Sequence, residues 1–209
     1  NLVTKSMGFA LLVALTGVLA QVLLSKPYYV GMVNDDAAYL LSAFSLINHG
    51  RCPVCQQVLT QGQIYHIGWP LLMAPLVPFA LDQVSWYQGL SLLLTLGSAL
   101  LLGFMAKRSF GWLVGYLLAA SFLVSTGCLL LSLSTLSEPL FAFQICALLW
   151  VSHGQKSLEP KALAVTSLLS GWCVITRTEG VAVLAAVVGR FLLRKKWGSA
   201  VVVVVTRLL

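Results

Sequence analysis

Long uncharged apolar runs, each ended by a small cluster of charge, set the rhythm of the chain. Residues 6–25 hold no charge, matching the roughly 20 residues that a helix needs to cross a bilayer core, and form the first predicted span. Residues 84–106 form the second, closed by Lys107 and Arg108. The next uncharged stretch, 109–137, is too long for one crossing. It predicts a third span at about 111–128, with 129–137 as an external loop. Glu138 and Pro139 open a fourth span that runs to about His153, residues 162–175 form a fifth, and a sixth follows the turn Thr176-Arg177-Thr178-Glu179-Gly180 to about Leu193. A truncated seventh begins near Ser199. The chain starts at Asn1 and stops inside an apolar run at Arg207-Leu208-Leu209, which reads as a fragment of a longer protein. The predicted fold class is all-α, a single polytopic transmembrane module over 1–209 with about six full spans.

Between the first two spans the pattern changes. Residues 26–83 are mixed in character and are read as the first extracytoplasmic loop, carrying two interfacial helices. The first opens at Asn34, a good N-cap, with Asp35 and Asp36 in its first turn, and stops at Asn48-His49-Gly50. Leu40, Phe44 and Ile47 make an apolar stripe, with Ser42, Ser45 and His49 opposite, as expected for a helix lying on a membrane surface. A polar turn at 50–63 leads to the second, 67–81. There Pro70, Pro75 and Pro78 each remove a backbone donor, which suits a bent interfacial or re-entrant helix.

Composition supports the membrane reading. Apolar residues make up 59% of the chain and charged ones 9%, against about 25% charged in soluble domains. The net charge of +7 is accordingly read as topology, and no nucleic-acid partner is expected. With the N-terminus in the cytoplasm, Lys5, Lys107, Arg108, Lys156, Lys161, Arg190, Arg194, Lys195 and Lys196 fall inside, while Lys26, Arg51 and Arg177 fall outside, as the positive-inside rule requires. Asp35, Asp36, Asp82, Glu138 and Glu179 all fall outside. Carboxylates gathered at span ends on one face, with Arg177 among them, are what an extracytoplasmic active site would present; solvated helix caps would present the same pattern.

Each candidate group has two readings. Asp35 and Asp36 either do chemistry or favour the dipole of the helix they open. Glu138 is either functional or a capping acid before Pro139. Arg177 either snorkels to headgroups, with Glu179 as a cap, or binds a lipid phosphate through its bidentate fork. His66 is a surface histidine or a site residue. Cys52 and Cys55 form a lone CxxC that closes as a disulfide or does nothing, and Cys128, Cys146 and Cys173 are read as packing residues. No Gly-rich phosphate loop, G-x-S-x-G elbow or H-E-x-x-H occurs.

Four short motifs, Asn34-Asp35-Asp36-Ala37-Ala38-Tyr39, His66-Ile67-Gly68-Trp69-Pro70, Leu136-Ser137-Glu138-Pro139 and Thr176-Arg177-Thr178-Glu179-Gly180, stand in an order that resembles the C-type (GT-C) glycosyltransferases. The resemblance is in particular to the protein O-mannosyltransferase and lipid A aminoarabinose transferase relatives, as the N-terminal half of such an enzyme. The resemblance implies inverting transfer of a sugar from a polyprenyl or dolichyl phosphate carrier to an acceptor hydroxyl on a lipid, glycan or protein, at the extracytoplasmic face of the cell membrane. It implies Asp35 as the acidic base and Asp36 as the neighbouring acid. Glu138 is implied as the acidic residue of the second outer loop, and Arg177 as the group meeting the donor phosphate. Tyr39, four residues past Asp35, shares its helix face. Two departures stand out. Thr178 replaces a Pro common in relatives, and the stretch before Pro70 lacks a Glu-Lys found near a metal in some of them, so the chemistry is read with or without a divalent cation. The alternative class is a multi-pass transporter or flippase for a lipid-linked substrate, which would show charged or broken helices at mid-membrane and an internal repeat.

Overall fold

Among the described residues the apolar runs form helices, and the charged turn Arg177-Thr178-Glu179 separates two of them. The computed structural model describes residues 2–24, 34–47, 66–80, 85–132, 134–153 and 160–193. Among these there is no strand. The helices are α1 (Leu2–Leu24), α2 (Asn34–Ile47), α3 (Gly68–Met73), α4 (Val77–Ala80), α5 (Ser85–Phe110), α6 (Trp112–Val124), α7 (Thr126–Ser132), α8 (Glu138–His153), α9 (Pro160–Thr176) and α10 (Gly180–Leu193), with a 3-10 turn at Ala74–Leu76. The CxxC at Cys52 and Cys55, the polar turn 50–63, the Gly50 cap and the seventh span lie outside the described residues.

Two sequence expectations are corrected. Residues 129–137 do not form a loop throughout, because α7 is helical to Ser132. The break falls earlier, where α6 and α7 meet at 64°. Ser125 makes that bend: its backbone is extended, its hydroxyl donates to the Phe122 carbonyl at 2.8 Å, and the Cys128 N–H donates back to it at 3.4 Å. One residue therefore closes α6 and caps α7. In addition, α5 does not stop before Lys107. It continues to Phe110 because the Lys107 stem lies along aromatic surface, its ammonium 4.9 Å from the Phe9 ring centroid and 5.6 Å from that of Phe104. The chain then reverses at Gly111, whose φ of 94° is open to glycine at little cost.

Helix α5 is the centre of the bundle, packing on α6 on one side and α8 on the other; α9 packs on α8 and α10, and α1 covers α6. Small residues allow the closest of these approaches. A Cβ at Gly115 would lie 2.7 Å from the Lys107 Cβ and 2.9 Å from its backbone nitrogen. Helix α5 is the one described helix long and apolar enough to cross a membrane, and the bent pair α6 and α7 meets the same test taken together. The other apolar helices are shorter over their described lengths. Type and order of the elements thus follow the sequence expectation, while by length one span, or two with the bent pair, meets the criterion. Many apolar side chains face outward along the bundle, Leu11, Leu93, Phe110 and Leu168 among them.

The bundle has two chemically different ends. Phe9, Phe104, Lys107 and Trp150 meet at one, where Arg190 also donates to the Ser152 carbonyl at 2.8 Å. Tyr39, Trp69, Ser134, Glu138 and Arg177 meet at the other. The described cations of the predicted inner loops and the described carboxylates of the predicted outer loops therefore lie at opposite ends.

Candidate functional site

The site stands on an apolar floor. Tyr39 and Ala43 of α2, Trp69 and Met73 of α3, Val77, Tyr87, Leu136 and Leu140 bury one another into a single apolar cluster. Leu40, Phe44 and Ile47, the stripe expected to face a membrane, pack against the same cluster. The amphipathic side of α2 is thus turned at least partly onto protein.

Above this floor the short connection between α7 and α8 is fixed by its backbone. The Trp69 indole donates to the Thr135 carbonyl at 2.6 Å, and the Ser91 hydroxyl donates to the Ser134 carbonyl, also at 2.6 Å. These bonds pair the carbonyls of Ser134 and Thr135 in a buried segment, Ser134 to Ser137. Helix α8 then begins at Glu138, with Pro139 in its first turn, where a proline removes no needed donor. On the other side of the site α9 ends at Thr176. The Arg177 N–H still reaches the Cys173 carbonyl at 3.0 Å, and Gly180 N–H closes the turn onto the Arg177 carbonyl at 2.9 Å. Gly68 lies on this turn so closely that a Cβ would come within 2.8 Å of the Thr176 Cα and 3.0 Å of the Ile175 carbonyl. The absence of a side chain at 68 is what docks the start of α3 beside Arg177.

Arg177 is the hub. Its Nη1 donates to Glu138 Oε1 at 2.5 Å and lies 3.5 Å from Ser137 Oγ, while Nε and Nη2 donate to the two oxygens of Glu179, each at 3.2 Å. Thr178 Oγ1 adds a bond to Glu179 at 3.3 Å, and Ser137 Oγ is 3.2 Å from the Tyr39 hydroxyl. A continuous polar chain therefore runs from Tyr39 through Ser137 and Arg177 to both glutamates. The Glu179 hydrogen bonds hold the guanidinium protonated beyond its ordinary range; burial works against this, and Glu138 reinforces it. Glu179 is in turn lowered to about 2, first by Arg177 and then by a backbone hydrogen bond. Exposure differs across the cluster: Arg177 is 27% exposed, Glu138 34% and Glu179 57%. Glu138 Oε2 is buried and has no hydrogen-bond partner among the described residues.

Of the residues singled out in the sequence, Tyr39, Glu138, Arg177 and Glu179 are brought together directly. His66 stands at the same end, half-buried two residues before Gly68, and makes no hydrogen bond among the described residues. Asp35 and Asp36 occupy the first turn of α2 as expected. Their side chains lie outside the described residues, and the backbone places Asp35 one helical turn, about 6 Å, before Tyr39. The geometry changes one expectation: the bidentate fork of Arg177, assigned to a phosphate, is filled by Glu179. Tyr39 likewise does more than share a face with Asp35, since it is buried and bonded to Ser137.

Sequence reasoning passed over the supporting layer. Gln144, fully buried on α8, donates to Thr176 Oγ1 at 3.0 Å, and that hydroxyl donates to the Trp172 carbonyl at 2.6 Å. This ties α8 to α9 immediately beneath the Glu138–Arg177 pair. The signal available was a lone amide in an otherwise uncharged apolar run, which needs a partner wherever it is buried. Among the described residues no group of three or more His, Cys, Asp or Glu side chains stands close enough to hold a metal ion. No family model matches the chain, and no curated protein or solved structure is significantly similar to it.

Proposed function

We propose that the chain is the N-terminal part of a multi-pass membrane glycosyltransferase that moves a sugar from a polyprenyl or dolichyl phosphate carrier to an acceptor hydroxyl at the extracytoplasmic face. The observation that carries this reading is convergence: four motifs spread from residue 34 to residue 180 meet at the carboxylate-rich end of the bundle around one arginine. A lipid phosphate leaves without needing a proton, so the reaction requires a base for the acceptor hydroxyl and positive charge for the departing phosphate. Asp35 is the base and takes the acceptor proton as the hydroxyl oxygen attacks the anomeric carbon from the face opposite the phosphate. Arg177 meets the phosphate. Glu179, the exposed partner, yields Nε and Nη2 to the phosphate oxygens, while Glu138 keeps Nη1 and holds the guanidinium in place. Asp36, the neighbouring acid, caps the helix or helps hold a cation, and His66 is a further residue of the site. A divalent cation, where bound, would add positive charge at the phosphate; Glu138 and Glu179 are held by Arg177, and among the described residues no three His, Cys, Asp or Glu side chains stand close enough to hold one. The test is Asp35→Asn in the full-length enzyme. It is expected to leave membrane insertion and donor binding near normal and to abolish transfer; transfer at the wild-type rate would remove the assignment.

The 64° break between α6 and α7 favours a second reading, a transporter or flippase, since discontinuous helices line many transport sites. Ser125 and Thr126 at the break are exposed and carry no charge. Movement of a fluorescent lipid-linked substrate across vesicles without sugar transfer would decide for this class.

A further inference from the structure

Helix α5, the one described helix long and apolar enough to cross a membrane, ends on two cations, Lys107 and Arg108. The chain then turns at Gly111 and exposes Trp112 at the start of α6. Cations beside an amphipathic aromatic at the end of an apolar helix are the residue types of a membrane–water interface. A cavity of about 370 Å³ opens at this corner, lined by Gly8, Phe9 and Leu12 of α1, Lys107 of α5 and Trp112 of α6. Lys107 is its charged group. The ammonium stands 4.9 Å from the Phe9 ring centroid and 5.6 Å from that of Phe104, which holds it in place and cancels none of its charge. Among the described residues it has neither a hydrogen-bond acceptor nor a carboxylate partner; Glu138 and Glu179 are both taken by Arg177 at the opposite end. From the cavity an apolar track leads away, made by the exposed Leu12, Leu15 and Leu19 at helical spacing on α1. Helix α1 runs antiparallel to α5, with Phe9 beside Gly103 and Gly17 beside Leu96, so the track runs from Lys107 toward the middle of α5.

We infer that this corner binds one anionic phospholipid, with the headgroup phosphate at the Lys107 ammonium in the cavity and one acyl chain along Leu12, Leu15 and Leu19. The inference rests on the membrane reading above and not on the transfer chemistry. Lys107 selects the sign of the occupant, since a half-buried cation without a counter-ion gains from an anion brought to it. The track selects its class. A soluble anion would use Lys107 alone, whereas a phospholipid covers the leucines as well, and basic pockets between helices at the end of a span suit anionic headgroups.

The test places the full chain in vesicles of equal phosphatidylglycerol and phosphatidylcholine with identical acyl chains, checks insertion by alkaline extraction, and reads co-purifying lipid by native mass spectrometry. One retained phosphatidylglycerol per chain is expected. Lys107→Gln is expected to lower the retained ratio of phosphatidylglycerol to phosphatidylcholine about fivefold, the effect of one cation near an anionic surface, and Lys107→Arg to keep it. Arg108→Gln removes an exposed charge that does not line the cavity and is expected to leave the ratio unchanged. Gly8→Leu fills the cavity and keeps Lys107; a Cβ at Gly8 meets nothing within 4 Å, and leucine suits a helix better than glycine. It is expected to lose the lipid altogether. Equal retention of both lipids by the wild type, or retention unchanged in Lys107→Gln or in Gly8→Leu, overturns the inference. Equal losses in Lys107→Gln and Arg108→Gln also overturn it, because the attraction would then be diffuse surface charge. A chain released by alkaline extraction fails at the earlier step and overturns the membrane reading itself.

Discussion

Replacing Arg177 by Gln keeps some of its hydrogen-bonding reach and removes its charge, leaving Glu138 with Oε1 unpaired beside an Oε2 that is already buried without a partner. The cost follows from where the pair sits. Exposed ion pairs contribute about 0–1 kcal/mol, and breaking a fully buried one costs about 3–5 kcal/mol. With Arg177 27% and Glu138 34% exposed, the loss should lie between these limits, at about 2 kcal/mol. Much of that is the penalty on the stranded carboxylate, so Glu138→Gln in the Arg177→Gln background should recover about half of it, about 1 kcal/mol. The assay is reversible unfolding in mixed micelles, comparing the wild type, both single variants and the double variant as a thermodynamic cycle. On the proposed function, transfer activity of the full-length protein should stay absent in the double variant while stability returns in part, which separates the holding role of Arg177 from its proposed role toward phosphate. A double variant no more stable than Arg177→Gln alone would show that Glu138 does not depend on the arginine, and the hub geometry would be refuted.

Three further outcomes follow from the same contacts. Gly68→Ala pushes a methyl into the Thr176 backbone and should cost about 1–3 kcal/mol; it should also raise the protease susceptibility of the 66–73 segment, and an unchanged stability curve would contradict the close approach. Thr176→Val strands the buried Gln144 amide and should cost about 1–3 kcal/mol, whereas Gln144→Leu with Thr176→Val should be close to neutral because both partners go; equal losses in the two variants would argue against that bond. Glu179 has a folded value near 2, below its ordinary 4.5, so its contribution to stability is present above about pH 4.5 and is lost as pH falls toward 2. Glu179→Gln should flatten that part of the stability-against-pH profile, and an unchanged profile would show that the Arg177–Glu179 contact is not maintained in solution.

What the sequence made legible was local, and what it hid was a matter of partners. The start of α8 at Glu138-Pro139 and of α10 at Gly180 could be read directly, because an acid with a following proline and a glycine after a charged turn are boundary chemistry. The α6–α7 break could not, since Ser125 is one uncharged residue inside an apolar run and hydropathy does not register a hydroxyl that closes one helix and caps the next. In the sequence Lys107 has the look of a terminator, but its stem runs along Phe9 and Phe104 and the helix continues past it. The residue types of the site were visible as carboxylates and an arginine at span ends, but the Arg177–Glu138 pair joins positions 39 apart, and periodicity carries no information at that separation.

Helix length supplies the missing link. Helix α8 has 16 residues and α9 has 17, so at 1.5 Å per residue the chain leaves Glu138 and comes back over nearly the same distance, about 24 Å each way. An antiparallel pair of matched length returns its far end to the level of its start, which is why Arg177 arrives beside Glu138. The Gln144–Thr176 bond then fixes the rotation of one helix against the other. The same reasoning explains why Ser137 bridges to Tyr39. Trp69 and Ser91 bind the carbonyls of Thr135 and Ser134, so the connection entering α8 cannot slide, and α2, packed on Trp69 through Tyr39 and Ala43, is held at the same height. The charged hub is therefore a consequence of matched helix lengths and a pinned connection beneath it, which bring the Arg177 guanidinium within reach of both glutamates.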